Sequence, residues 1–338
     1  MSSHRDHHVA PEVQSDTTRR WGDVALLAGL FALVLGGLIA LAAATGWEET
    51  LEGLKSITAP QMAILLALSL VNYIFRGLRW YYFARRLELP TGFVQDLRHF
   101  LGGFAMSVTP GRVGELVRMR WIRRETGWSF ERTAPLVLVD RASDLSSMAL
   151  LLALALAFTT TGIGGAVPVV VLALAASFAI TRPKPLRMLA TLGYRATGIA
   201  SRLFARIRRA AASLEAFKSP FAMTFATILG VIGWAAEAVA FWLLLDWMGA
   251  DISLGVATAI FIFATLAGGL TGAPGGVGGA EAVMVALLVL EGVPLEIAVP
   301  ATLIIRVTTL WFAIGIGLLV FPFAERISQR MKNGLEAG

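Results

Sequence analysis

The chain has 338 residues, 56% of them hydrophobic and 15% charged, with 29 Lys+Arg against 23 Asp+Glu and no cysteine. An average soluble domain carries roughly 25% charged residues, so this composition exceeds what a packed soluble core absorbs and points to an all-α integral membrane protein. The lack of cysteine excludes disulfides, thiolate nucleophiles and Cys-ligated zinc or iron–sulfur sites.

Residues 1–21 read as a disordered cytoplasmic tail, in which His4, His7 and His8 are not taken as a metal site. The apolar run from Val24 to Ala44 is longer than the roughly 7–15-residue core of a secretory signal, which makes 22–44 a retained anchor. Further apolar segments lie near 61–83, 133–159, 166–181, 221–245 and 297–321, each close to the ~20 residues needed to cross a bilayer. Six spans are therefore expected. Two more apolar stretches, about 96–108 and 254–290, are interrupted by glycine and proline and read as re-entrant hairpins.

Loop charge sets the direction, because short cytoplasmic loops concentrate Lys and Arg. Arg19 and Arg20 place the N-terminus inside, whereas Glu48, Glu49 and Glu52 against Lys55 place the next loop outside. The pair Arg85 and Arg86 and the basic segment 112–132 flank the first hairpin, so it enters from the cytoplasm and returns there. Asp246 and Asp251 precede the second hairpin and Glu291 and Glu296 follow it, which makes it enter from outside. The basic stretch 182–219 and Arg326, Arg330 and Lys332 are cytoplasmic, as is the tail 326–338.

The hairpins also resemble each other in sequence: Pro110-Gly111-Arg112-Val113-Gly114-Glu115 against Pro274-Gly275-Gly276-Val277-Gly278-Gly279-Ala280-Glu281. Each is followed at equal spacing by a charge on the next span, Asp140 after Glu115 and Arg306 after Glu281. With opposite entry sides, the pattern is that of an inverted-topology repeat. Repeat one covers about 61–159, repeat two about 221–321, and a basic amphipathic connector at 182–219 joins them within a membrane domain of 22–325. Leu203, Ile207, Leu214 and Phe217 give the connector an apolar face among arginines.

Charges within the hydrocarbon are costly and mark candidate functional positions. Asn72, Arg76 and Arg79 share one helix face; Arg79, beside Trp80, Tyr81 and Tyr82, is expected to snorkel to the interface, and Arg76 to face a cavity. Asp140, Arg141 and Asp144 occupy one arc and can satisfy each other or meet substrate. Glu237 and Arg306 lie deep in the fifth and sixth spans, with a bridge between them as the structural alternative. The glycine breaks either expose half-helix N-termini that favour an anion or permit close helix packing. No Walker loop, metal set or paired nucleophile is present, and no cofactor is expected.

Taken together, Asn72-x-x-x-Arg76-x-x-Arg79-Trp80, Thr109-Pro110-Gly111-Arg112-Val113-Gly114-Glu115-Leu116-Val117-Arg118, Asp140-Arg141 and the Pro274 to Glu281 motif resemble the lysylphosphatidylglycerol synthase transmembrane-region family over about residues 22–325. The resemblance implies a flippase-like domain that moves polar-headgroup lipids between leaflets of the bacterial inner membrane: a phospholipid, aminoacyl-phospholipid, hopanoid or lipid-linked sugar. The chain ends about 17 residues after the last expected span, without the soluble aminoacyl-transferase domain of the full-length synthases, so it is not expected to be an enzyme. The expected partners are anionic or zwitterionic membrane lipids, with lipid-biosynthesis enzymes and further copies of the chain as candidates, and no nucleic acid. The expected translocation site comprises Asn72, Arg76, Pro110, Gly111, Arg112, Gly114, Glu115, Arg118, Asp140, Arg141, Asp144, Glu237, Pro274, Gly275, Gly276, Gly278, Glu281 and Arg306. Rival readings are a membrane-embedded lipid-modifying enzyme and a scaffold for lipid-pathway enzymes.

Overall fold

The computed structural model describes residues 52, 55–107, 113–157, 166–197, 214–217, 219–270 and 274–337, and among these every regular element is helical. The expected span at 22–44 lies outside the described residues, as do Pro110, Gly111 and Arg112. The helices are α1 (Ala59–Arg86), α2 (Phe93–Gly102), α3 (Val113–Thr126), α4 (Phe130–Ala157), α5 (Ala166–Thr181), α6 (Pro183–Thr197), α7 (Pro220–Trp247), α8 (Leu254–Leu270), α9 (Gly279–Leu290), α10 (Leu295–Arg306) and α11 (Phe312–Ala337). A π turn, Val307–Trp311, joins α10 to α11.

Three helices are long and apolar enough to cross a membrane: α1, α7 and the continuous Leu295–Lys332. A fourth crossing is added if the bent pair Ala166–Ala179 and Pro183–Leu192, which meet at 86°, is one span. The bend has a local cause, because Pro183 disfavours helical backbone at Arg182 before it. Helix α4 is as long as α1 but carries Glu131, Arg132, Asp140, Arg141 and Asp144, which keep it out of the apolar group. Helix α6, with Lys184, Arg187 and Arg195, covers the first part of the basic 182–219 stretch; residues 198–213 of that stretch, Leu203 and Ile207 among them, lie outside the described residues.

Helix ends follow from the sequence. At the start of α1, Gln61 Oε1 accepts the Thr58 backbone N–H at 2.8 Å and Pro60 sits where no helical N–H is needed. At α7 the bond runs the other way, the Ser219 Oγ accepting from Ala222 N at 3.5 Å, with Pro220 at the first position.

Between the long helices stand two hairpins of short ones. Helix α2 runs into a 3-10 turn at Gly103–Met106 and is followed by α3; α8 is followed by a 3-10 turn at Pro274–Gly276 and by α9. At 1.5 Å per residue the 12 residues of α9 reach about 18 Å, well short of a ~30 Å hydrocarbon core. The order of elements is the same twice: long helix, hairpin, long helix. Helices α1 and α7 pack against each other at the centre. The first hairpin leans on α1 and α11; the second leans on α4, α7 and α10.

Two apolar cores result. One joins Leu65 of α1 with Phe241 and Leu244 of α7, Ile260 of α8, Met284 of α9 and Ile304 of α10; the other joins Trp80 and Phe83 with Phe100, Ile122, Leu136 and Phe217. The outer faces remain apolar, with Ile74 of α1, Phe221 of α7, Val171 of α5 and Leu319 of α11 all more than half exposed. Such faces suit lipid rather than water.

Candidate functional site

The face of α1 that carries Asn72, Arg76 and Arg79 meets the side of α4 that carries Asp140 and Asp144. Arg79 Nη2 lies 2.7 Å from Asp140 Oδ1 and 2.7 Å from Asp144 Oδ1, and it also donates to the Asp140 carbonyl at 3.2 Å. Its side chain is wholly buried, so Arg79 does not snorkel to an interface. The reason is the match of spacing: cations three residues apart on one helix face carboxylates four apart on the other, each near one turn. Arg76 Nη2 takes the other oxygen of Asp144 at 2.7 Å, and Arg76 Nη1 reaches Asn72 Oδ1 at 3.4 Å.

Arg141 ties this cluster to the first hairpin. Its Nε is 2.9 Å from Glu115 Oε1 on α3, its Nη1 3.2 Å from Asp144 and its Nη2 3.3 Å from Asp140. The trio Asp140, Arg141 and Asp144 is thus part of a larger network of three arginines and three carboxylates. Buried ion pairs are costly to create and more costly to break, so this network fixes how α1, α3 and α4 meet.

The second hairpin has an equivalent lock. Arg306 Nε lies 2.5 Å from Glu281 Oε1, and Arg306 Nη2 donates to the Gly275 carbonyl at 3.0 Å. A hairpin glutamate therefore pairs with an arginine of the following long helix in both units, Glu115 with Arg141 and Glu281 with Arg306. The bridge from Glu237 to Arg306 does not form. Gly275, Gly276 and Gly278 all have positive φ, 63°, 69° and 84°, which side chains disfavour. The α9 N-terminus is not open to an anion at Gly278, because Glu281 Oε2 accepts that N–H at 2.7 Å. The close-packing role is present as well: a Cβ on Gly268 would lie 2.6 Å from the Ala280 Cβ, and one on Gly114 2.5 Å from the Gly103 carbonyl.

Arg118 is placed differently from the other arginines. It is 3% exposed, and its guanidinium lies 4.8 Å from the Phe100 ring centroid, 5.2 Å from Trp80 and 5.8 Å from Phe104. Its Nη2 donates to the Phe100 carbonyl at 2.9 Å, while Nε and Nη1 have no partner among the described residues. No carboxylate of the described residues pairs with it. Cation–π contact offsets part of the desolvation of a guanidinium; Nε and Nη1 together keep three buried N–H groups without a described acceptor. Gly103 makes the seat, since a Cβ there would lie 2.0 Å from Arg118 Nε.

These groups surround a cavity of about 680 Å³, within the range of small-molecule sites. Its charged lining is Arg76, Glu115, Arg118, Arg141, Asp144, Glu237 and Arg306. Its opposite wall is apolar, from Val169, Leu172 and Ala173 of α5 and Leu266 and Leu270 of α8. Gly114, Gly275 and Gly276 also line it, and Trp234 closes over Arg76 at 5.1 Å from ring centroid to guanidinium. Asn72 and Asp140 lie behind the lining, wholly buried. Gly278, Glu281 and Pro274 belong to the second turn and its helix cap; Pro110, Gly111 and Arg112 are outside the described residues. Sequence reasoning missed the aromatic seat of Arg118, whose rings come from α1, α2 and the 3-10 turn after α2.

A second set of polar contacts lies away from the cavity, where α2 and α3 meet α11. Glu125 Oε2 receives Gln95 Nε2 at 2.5 Å, Arg98 Nη2 at 2.7 Å and His99 Nε2 at 3.0 Å. Burial alone would raise the Glu125 carboxyl, but the His99 bond and charge, the Gln95 bond and Arg98 outweigh it and hold the group below the usual range. His99 stacks on Trp121, whose Nε1 donates to Glu325 on α11 at 2.8 Å, and Arg120 and Arg124 reach the same carboxylate at 2.8 and 2.7 Å.

Comparison with known proteins places the chain among membrane proteins. An archaeal "UPF0104 membrane protein" of Methanothermobacter thermautotrophicus is 23% identical over 333 residues, covering 90% of this chain and 98% of the relative. A second match to a protein of that name and organism is 32% identical over 92 residues, 27% of this chain and 28% of the relative. The family model for the lysylphosphatidylglycerol synthase TM region matches residues 24–317, and the chain belongs to that membrane-protein family.

Proposed function

We propose that this protein translocates a polar-headgroup lipid across the bacterial inner membrane, with six spans and two opposed re-entrant hairpins forming an inverted repeat and both termini in the cytoplasm. The two Glu–Arg locks, one per hairpin, support the repeat, and the shortness of α9 and of α2, at 12 and 10 residues, supports re-entry over crossing.

The observation that carries the reading is Arg118: a buried cation at the wall of a cavity, with two nitrogens, Nε and Nη1, unpartnered among the described residues and no described carboxylate paired with it. A lipid phosphate fits that vacancy of charge, and guanidinium donors suit phosphate geometry. The apolar wall of α5 and α8 across the cavity suits acyl chains. Glycine turns at Gly275 and Gly276 let backbone line the cavity, as irregular segments at membrane depth do. The reading assigns no bond-making step to the chain.

The test is lipid scrambling in proteoliposomes with a panel of fluorescent headgroups, comparing wild type with Arg118→Ala and Arg306→Ala. Wild type moves at least one phosphate-bearing lipid and Arg118→Ala slows it at least tenfold. A wild-type protein that moves none of the panel overturns the reading.

A further inference from the structure

The charges in and behind the cavity wall are equal in number but not all paired, and the two left over identify a second site. Arg76, Arg79 and Arg141 are matched by Glu115, Asp140 and Asp144, and Arg306 is matched by Glu281. Two groups remain over among the described lining residues, the cation Arg118 and the anion Glu237. Glu237 sits midway along α7, 5% exposed, with no hydrogen bond or ion pair to any described residue.

Its surroundings do not neutralise it directly. From α1 it faces Arg76 and the Tyr73 phenol, from α4 Asp144, and from α10 Arg306. Both of those arginines are already bound to other carboxylates, Arg76 to Asp144 and Arg306 to Glu281. On the cavity wall, α5, α8, α9 and α11 contribute only uncharged side chains. Arg118 and Glu237 line the same cavity, the one without a carboxylate partner and the other without a cation partner among the described residues. A phosphate bound at Arg118 brings a second anion into the low-dielectric space that holds the Glu237 carboxylate, and protonation of that carboxylate relieves the repulsion.

We infer that Glu237 is a proton site coupled to headgroup binding: an anionic headgroup enters at Arg118 together with one proton from water, which is taken up on the Glu237 carboxylate. A headgroup that carries its own ammonium brings the compensating charge with it and takes up no proton. The inference rests on the translocator reading of the cavity and adds a driving ion to it, since a lipid that travels with a proton is moved by a pH gradient.

The experiment measures binding rather than transport, so that the two readings fail separately. A soluble short-chain phosphatidylglycerol, which is anionic and has no amine, is titrated into detergent-purified full-length protein, with short-chain phosphatidylethanolamine as the ammonium control. For wild type, phosphatidylglycerol binding takes up about one proton, read with an indicator dye in weak buffer. Its affinity falls by up to about tenfold per pH unit above the Glu237 titration, as linkage requires for one proton. An infrared difference band of a protonated carboxyl appears on binding and is absent in Glu237→Gln, whose affinity is independent of pH. The wild-type dye and infrared signals stand even if that variant does not fold. Phosphatidylglycerol binding that is independent of pH in wild type, or proton uptake that persists in Glu237→Gln, overturns the inference and leaves the translocator reading intact. Binding of neither lipid overturns both. Proton-coupled binding without scrambling upholds the inference and overturns only transport.

Discussion

The Glu281 carboxylate serves two partners at once: Oε1 meets Arg306 Nε at 2.5 Å and Oε2 accepts the Gly278 N–H at 2.7 Å. One side chain both starts α9 and holds the arginine of α10, so the shape of the turn and the charge of the cavity depend on each other.

Removing either member should therefore be severe. Arg306→Ala leaves a buried carboxylate unmatched and the Gly275 carbonyl without this donor, and should lower stability by about 3–5 kcal/mol. The double variant Glu281→Gln with Arg306→Met, which removes both charges and keeps side-chain volume, should cost clearly less. Denaturation in detergent, followed by intrinsic tryptophan fluorescence, checks this. Equal losses in single and double variants would show that the charge pair does not hold the turn.

Gly103 should behave unlike an ordinary helical glycine. Alanine usually gains about 0.5–1 kcal/mol over glycine in a helix, yet here the added Cβ would lie 2.0 Å from Arg118 Nε. We expect Gly103→Ala to cost about 1–3 kcal/mol, the usual scale of overpacking, and to weaken binding of anionic lipid. In an Arg118→Ala background the penalty should largely vanish. A double-mutant cycle measures that coupling directly.

The Glu125 contacts predict an acid dependence. Its carboxyl is held below the ordinary value of 4.5, so the charged form is favoured in the folded state. The resulting stability is fully present above the ordinary value and is lost as pH falls through the lowered one. Melting temperature should decline in that window for wild type, with a smaller decline for Glu125→Gln, whose stability is already reduced at neutral pH. Parallel curves for the two proteins would show that another group controls acid sensitivity.

The proposal that the two hairpins enter from opposite sides makes a topological prediction. With no native cysteine, Ser129→Cys and Glu291→Cys each give one label site, both at exposed positions. A membrane-impermeant maleimide added to intact spheroplasts should label position 291 and reach 129 only after permeabilisation. Labelling of both from the same side would leave the two hairpins parallel.

The sequence already disclosed the helical membrane class, the break between α8 and α9 and most of the arginines and carboxylates around the cavity. These follow from composition, from helix-breaking residues and from the cost of burying charge, all of which are local. Partner choice was less legible. Arg79 lies beside three aromatic residues near a helix end, so an interfacial position was the natural reading, yet it is buried against Asp140 and Asp144. The complementary spacing on α1 and α4 carried that information, but only for a reader who already knew the two helices meet. The aromatic seat of Arg118 left no periodic trace, because Trp80 belongs to α1 and Phe100 to α2. Nor could the sequence decide between an open and a capped α9 N-terminus; a single hydrogen bond from Gly278 settles it.

The π turn at Val307–Trp311 has a consequence for chain length. It takes up about one residue more than an α-helical turn, so all that follows is rotated by about 100° relative to an unbroken helix. The Thr309 carbonyl within it accepts from the Tyr73 hydroxyl, which fixes that phase against α1. Downstream of this offset, Ala313 faces the cavity and Glu325 faces Arg120 and Arg124. Deleting one residue between 307 and 311 would make a more regular helix and turn both of these away from their partners. Residue number, more than residue identity, is what this stretch must conserve.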